Sequence, residues 1–434
     1  MFSCRFYLAL TIIFHGMAAT SSNGLAFAQP QLEDNWPQFR GAMANSRAQA
    51  SGIPATWSAE QNIIWRQELP GFGASSPVTF GDHIYLTCYT GYGLDASEPG
   101  EMRDLTRHLL CLNREDGSLE WNAAQPSTHP QQPYREFIPL HGYASGTPAI
   151  DESGIYVFYG TTGAAAYDFD GQQRWLVNCG TEHHMFGTSN SPVIFDDLVI
   201  INAGIESGDL IALDKQTGAE RWRRDGMVES WNTPVLVTTT AGKVELAVNT
   251  KGTVYGIDPA TGSELWRCDG INDYICPSIL AEGPMLYVLG GRQNTALAIE
   301  SGGRGDVTDT HVKWRIGKGS NVCSPVLIDD HLYWTSESKG IAYCVNAETG
   351  KVVYEQRLRP APDKLYASPL AVDGKIFYVS RENGTYVVPA KPEFELLAHN
   401  TIEDDTSTFN GTPIISRGQM LLRSDKYLYC IGQQ

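Results

Sequence analysis

No two of the nine cysteines in this 434-residue sequence are adjacent; they stand at 4, 88, 111, 179, 268, 276, 323, 344 and 430. A ring closed by neighbouring cysteines is therefore excluded. Basic residues are scarce, 32 Lys and Arg against 49 Asp and Glu, and the resulting charge of −17 is spread along the chain instead of gathered in a tail. Such a field repels polyanions, so neither nucleic acid nor an anionic membrane is an expected partner. Apolar runs are short: FYLALTIIF, after Arg5, falls below the roughly 18 residues that a spanning helix needs, and no later segment reaches that length. No membrane span is expected. A Ser-His-Asp arrangement and a Gly-rich phosphate loop are also missing, which leaves no catalytic residue to name.

The chain does have ample apolar material, 42% of its residues, together with 43 Gly and 23 Pro. Its first residues have the order of an export signal: Arg5, the apolar run, then AFA at Ala26 to Ala28 as a cleavage site. Residues 1–28 are expected to be removed and the protein to act outside the cytoplasm, in the periplasm or cell envelope. Cys4 precedes the apolar run, so a lipid anchor is not expected.

The stretch ALDKQTGAERW, 212–222, returns as CLNREDGSLEW at 111–121, GIDPATGSELW at 256–266 and CVNAETGKVVY at 344–354, with a shortened YDFDGQQRW ending at Trp175. A second marker, a small or polar residue followed by Pro and an apolar strand, occurs at Pro77, Pro148, Pro192, Pro234, Pro277, Pro325, Pro369 and Pro413. Subtracting successive positions gives 71, 44, 42, 43, 48, 44 and 44 residues. Eight units of four short strands, with one swelling after the first, describe an all-β, eight-bladed β-propeller. In each turn an Asp accepts backbone N–H groups, Gly takes a positive φ, and the aromatic that follows wedges against a neighbouring blade. The last unit lacks a fourth strand, while NIIWRQEL (62–69) is a fourth strand with no blade before it. The strand around Trp65 is predicted to pair with Tyr427 to Ile431 and close the ring. The expected organisation is a signal peptide (1–28), an N-terminal arm carrying WPQFRG (29–61) and the propeller (62–434).

The turn motif resembles A-x-D-x-x-T-G-x-x-x-W, the tryptophan-docking repeat of the PQQ-binding-like, quinoprotein-like eight-bladed propellers. Residues 212–222 match every fixed position, and 256–266 depart only at Gly256. WPQFRG (36–41), LPGFGASSPV and GSNVCSPV further resemble an exported bacterial subgroup without established activity. The resemblance covers residue 36 to the C-terminus and implies fold far more strongly than function, because the motif is a packing device. Two functions fit it: a non-catalytic binding or assembly module, which is the expectation, and a dehydrogenase of alcohols or sugars using pyrroloquinoline quinone (PQQ) and calcium. The cysteine ring of such dehydrogenases is absent here, and no set of calcium ligands can be assigned. GGRGDVTDT (302–310) reads as a solvated loop and TEHH (181–184) as a surface loop, so neither cofactor nor metal is expected.

Cys111, Cys344 and Cys430 occupy the position that Ala212 fills and are expected to act as compact apolar residues. Cys88 and Cys111 are the pair to examine for a disulfide. Loops leading into the innermost strands carry Phe72, Tyr143, Phe186, Trp231, Tyr274, Tyr366 and Phe409, and loops between second and third strands carry Glu206, Asn249, Arg292, Glu337, Arg381 and Arg423. Propeller geometry puts both sets at one mouth of the channel. Trp231, Tyr274, Glu206, Arg292, Arg381 and Arg423 are the candidate ligand-binding residues, with the three arginines as an anion-attracting sector. Two readings stay open: a funnel for a small polar ligand or envelope protein, and aromatics that merely seal the channel. A monomer is the expected state.

Overall fold

A computed structural model describes residues 1–2 and 35–433; most of the expected signal peptide lies outside the described residues. Eight antiparallel sheets follow one another, the third formed by Val193–Phe195, Leu198–Ala203, Asp209–Asp214 and Glu220–Arg224. The other seven span 78–126, 149–177, 235–269, 280–316, 326–357, 370–400 and 414–431, the last completed by Ile63–Glu68. Trp65 lies opposite Cys430 and Glu68 opposite Tyr427, so the N-terminal strand closes the ring as the repeat pattern requires. Among the described residues no helix is long and apolar enough to cross a membrane.

The apolar residues do not form one central core. Six of the eight clusters join two neighbouring sheets, as where Val199, Ile201 and Leu213 of the third blade meet Tyr156, Ala164 and Trp175 of the second. A blade of four strands cannot bury both faces by itself, so every blade depends on two neighbours.

The repeated motif supplies the contact between blades. In every unit but the seventh, a small third-strand residue faces the aromatic of the fourth strand: Ala212 opposes Trp222, Cys111 opposes Trp121, and Cys344 opposes Tyr354. The small residue leaves room for the ring to lean outward. That aromatic is the third residue of its strand, one position past a bulge. The indole then donates to a carbonyl in the turn of the next blade: Trp121 to Phe169 at 3.0 Å, Trp175 to Lys215 at 3.2 Å, Trp222 to Pro259 at 3.1 Å and Trp314 to Ala347 at 2.9 Å. The receiving turn is rigid. Asp214 Oδ1 accepts the N–H groups of Gln216 and Thr217 and the Thr217 hydroxyl, and Gly218 holds φ at +74° beneath the Trp175 ring.

Blade five breaks the pattern because the loop 302–310 replaces its turn. That loop is not simply solvated. Gly305–Asp306 pairs in parallel with Trp266 and Arg267 of blade four, and Arg304 forms a 2.9 Å ion pair with the buried Glu245. Glu245 Oε2 also accepts the indole N–H of Trp266 at 2.7 Å. Trp266 therefore folds back over its own blade, where a Cβ on residue 256 would lie 2.0 Å from the ring. This explains why Gly256 stands where the motif has Ala.

Two other expectations change. Cys88 lies opposite His108 and Cys111 opposite Tyr85, so the two thiols are out of register; both are free, like the other described cysteines. Burial pushes both thiols up to about 12, which keeps them protonated as long as no metal ion is bound. In blade five the innermost strand begins at Leu280, and Ser278, not the residue before Pro277, occupies the repeated small-residue position.

Deleting residues 62–69 should abolish cooperative unfolding; a sharp, unshifted melting transition in the truncated protein would refute closure by this strand. Gly218→Ala combines a left-handed φ with a Cβ 2.9 Å from Trp175. Urea unfolding should show a loss of about 1–3 kcal/mol.

Candidate functional site: a blind funnel on the propeller axis

The residue two positions before each innermost strand carries a hydroxyl, and these hydroxyls ring the axis. Ser76 N donates to Thr147 Oγ1 at 3.0 Å, Thr147 N to Ser191 Oγ at 3.0 Å, Ser191 N to Thr233 Oγ1 at 3.1 Å and Thr233 N to Ser278 Oγ at 3.0 Å. Ser278, Ser324, Ser368 and Thr412 continue the series at 3.0, 3.1 and 3.0 Å. A side chain one carbon long is needed, since its oxygen must meet the backbone of the preceding blade. The ring fixes the waist of the channel.

The N-terminal arm closes one end. Trp36 forms a bridge with Thr79 of blade one, and Ile150 N of blade two donates to Pro37 O at 2.8 Å. Across the axis, the buried Arg40 side chain reaches the carbonyls of Ile279 at 3.4 Å and Pro325, in blades five and six. Ser46 and Ala48 then bond to Ala371 of blade seven. Residues 36–48 thus cross the channel from blade one to blade seven as a plug, and Phe39 faces the cavity from below.

The insertion after blade one covers part of the other end. The 3-10 turn Ile138–Leu140 projects over the mouth, where Leu140 O accepts Arg381 Nη2 and Asn410 Nδ2, both at 2.9 Å. His141 donates from Nε2 to Phe186 O at 2.8 Å, while Nδ1 meets Ser145 Oγ at 2.8 Å. Burial lowers the pKa of this imidazole, holding it neutral in the tautomer those bonds need. What remains open is a funnel of about 320 Å³. Phe137, Phe186, Trp231, Tyr274 and Tyr366 supply its aromatic lining, and Asn321, Glu337 and Lys364 its polar groups.

The candidate residues separate accordingly. Trp231 and Tyr274 line the funnel, each held by one bond: Trp231 Nε1 donates to Gly187 O at 2.7 Å, and Asn321 Nδ2 donates to Tyr274 Oη at 2.6 Å. Arg292 lies over the Tyr274 ring, 4.8 Å from its centroid, and Arg381 over Tyr366 at 5.1 Å. Arg423 is 0% exposed and donates to Ser75 O at 2.8 Å, so the three guanidinium groups do not present a shared surface. Burial pushes Arg423 down to about 10. Asn249 is likewise buried, its carbonyl accepting Ser230 Oγ at 2.9 Å.

Phe72 and Tyr143 pack instead with Tyr89, Tyr92 and Tyr134, and Phe409 packs with Tyr429. Phe72 and Tyr143 belong to the sector that the insertion covers. His184, from the TEHH loop, is half-buried with its ring 4.9 Å from Trp231, while His183 stays exposed. Sequence reasoning missed Phe39, Phe137, Leu140 and His141, although the swollen 71-residue gap located the insertion that carries three of them.

Glu206 is 1% exposed and accepts the Thr188 hydroxyl. Burial pushes its carboxyl from an ordinary 4.5 to about 7, against the opposing pull of Thr188, nearby backbone amides and Arg107. Arg107 itself is buried, with Nη1 on Thr162 Oγ1 at 3.0 Å and Nη2 on Gln131 Oε1 at 2.8 Å. Arg107 belongs to blade one and Glu206 to a loop of blade three, and neither lines the funnel.

The family profile described as "Outer membrane protein assembly factor BamB" matches residues 106–353 and again 250–393. The chain belongs to this family of PQQ-like propellers. No curated protein matches it. Among solved structures, BamB from Moraxella catarrhalis superposes with a TM-score of 0.58 at 14% identity, covering 86% of this chain and 97% of that one. A europium-containing methanol dehydrogenase gives 0.61 at 11% identity, covering 92% and 98%. The computationally designed Ika8 protein gives 0.58 at 11% identity, covering 86% and 99%. An assembly factor, an enzyme and a design thus share this architecture, and the fold alone assigns no function.

PQQ and calcium, the cofactors that the resemblance of the repeat implies, would need a matching donor set in the funnel of this BamB-like propeller. Calcium takes six to eight oxygen ligands. The wall offers one carboxylate, Glu337, whose Oε2 already accepts Asn321 N at 3.3 Å, with the Lys364 side chain in the same wall. This donor set does not suit a quinone-bound calcium, and no step is derived through one.

The sign of the Glu206 effect is fixed by its raised pKa. Its favourable contribution is complete below about pH 4.5 and is lost as pH rises through about 7, as the buried carboxyl is forced to ionise. Glu206→Gln should flatten this part of the profile and exceed wild type by about 1–3 kcal/mol at pH 8. Urea unfolding from pH 4.5 to 8 measures it, and parallel profiles for the two proteins would refute the assignment.

Proposed function

We propose that the protein is an exported binding or assembly module, without catalysis, that holds a segment of an envelope protein or a small polar ligand in the blind funnel. The observation that carries this reading is the lining itself: aromatic faces interleaved with amide, carboxylate and ammonium groups, with Phe39 from the arm among them. Concave sites of this size and mixed lining suit ligands that present one flat apolar face and a few hydrogen-bonding groups. Export is supported by the N-terminal sequence and by the family, whose described member is an outer-membrane assembly factor.

The test compares wild type with Trp231→Ala and Tyr366→Ala in a panel of aromatic-containing peptides and oligosaccharides, read by calorimetry. One class should bind wild type and weaken about tenfold or more in both variants, as expected when a central aromatic anchor is lost. Titration with PQQ and calcium, followed by dye reduction with alcohols and sugars, provides the opposing arm. Turnover there would replace the binding module with a dehydrogenase.

A further inference from the structure

Outside the funnel, the first blade gathers three different metal-binding side chains. His83 begins the second strand, Cys111 lies in the third opposite Tyr85, and Glu120 lies in the fourth. Their ligand atoms all lie within 4.8 Å of one another. His83 Nε2 is 3.0 Å from Glu120 Oε2, and Cys111 Sγ is 3.9 Å from the same oxygen.

A defect in the ladder makes this convergence possible. Cys111 pairs with Trp121 and Leu112 with Leu119, so Glu120 is the extra residue of a bulge. A bulge re-aims the side chain it carries. Every other blade with this bulge places a different residue there: Arg174, Arg221, Leu265, Lys313, Val353 and Ile64. Blade six comes nearest, with His331 opposite Asn346 as His83 is opposite Asn113, and with Cys344 in the place of Cys111. Its bulge residue is Val353, which supplies no ligand. Acid, imidazole and thiol coincide only in blade one among the described residues.

We propose that His83, Cys111 and Glu120 form a zinc-binding site on the outer part of blade one. Imidazole nitrogen, thiolate sulfur and carboxylate oxygen are the donors that zinc accepts, at about 2.0 to 2.3 Å each. Three ligands on adjacent strands of one sheet are held by the ladder, and small side-chain rotations draw the donors to tetrahedral separations. His83 and Glu120 are partly exposed, which gives the ion an entry path and leaves a fourth position for water or a partner's side chain. Binding breaks the Cys111 S–H bond, forms a zinc–sulfur bond and releases one proton to solvent.

Cobalt(II) is the first probe, because thiolate coordination gives an intense charge-transfer absorption that no oxygen or nitrogen ligand produces. The purified full chain should develop that band at one equivalent of cobalt and lose it on adding zinc. Cys111→Ala places there the residue that blade three already carries as Ala212, so the blade should fold, and the band should vanish. Glu120→Val copies blade six at a partly exposed site. It should weaken cobalt binding more than about 100-fold, exceeding the roughly 10–100-fold loss usual for a residue that only supports a ligand. Absence of the band at one equivalent, or its persistence in Cys111→Ala, would overturn the site.

Discussion

The seating of one blade's aromatic on the next blade's turn is the contact on which the molecule depends. A sheet of four short strands exposes two apolar faces, and no single blade can cover them. The indole bonds from Trp121, Trp175, Trp222 and Trp314 set the spacing and tilt between blades at the outer edge. The hydroxyl ring from Ser76 to Thr412 sets them at the axis. With both radii fixed, the channel has a defined waist, and loops above it can hold a constant geometry. Where the outer contact is absent, at Trp266, the loop 302–310 restores it through Glu245, and the blade spacing survives.

The funnel is a by-product of closing a ring and then blocking it twice. Eight blades leave an axial channel too wide for their own side chains to fill. The arm occupies the lower end with Phe39 and Arg40, and the insertion after blade one roofs a sector of the upper end. The open remainder is lined mainly by blades three to seven. Arg381 holds the roof in place through Leu140 while it also stacks on Tyr366, which lines the cavity. Charge near the funnel is thus spent on positioning the wall as much as on facing a ligand.

Periodicity made the fold legible. The turn motif, the prolines and the orphan strand at Trp65 determine blade number and closure because each repeats, or completes, one local solution. The site was legible only in part, for the opposite reason. Trp231 and Tyr274 follow from their place in the repeat, whereas Phe137, Leu140 and His141 lie in an insertion and Phe39 in an arm, neither of which has a periodic counterpart. Burial was equally hidden: Arg423 and Glu206 stand at repeat positions that suggest exposed loops, yet tertiary packing removes both from solvent. The shift of Ser278 relative to Pro277 shows how a marker can count blades correctly and still misplace a residue.

The arm also orders events in time. Arg40 bonds to carbonyls 239 and 285 residues further along the chain, and Ser46 to Ala371 beyond them. These partners are made only as blades five, six and seven begin. The stretch from Arg40 to Ala48, which emerges early, therefore finds its partners last, after Trp36 has already met blade one. The channel floor is laid after the walls, so a half-built molecule is an open tube and only the finished one is a cup.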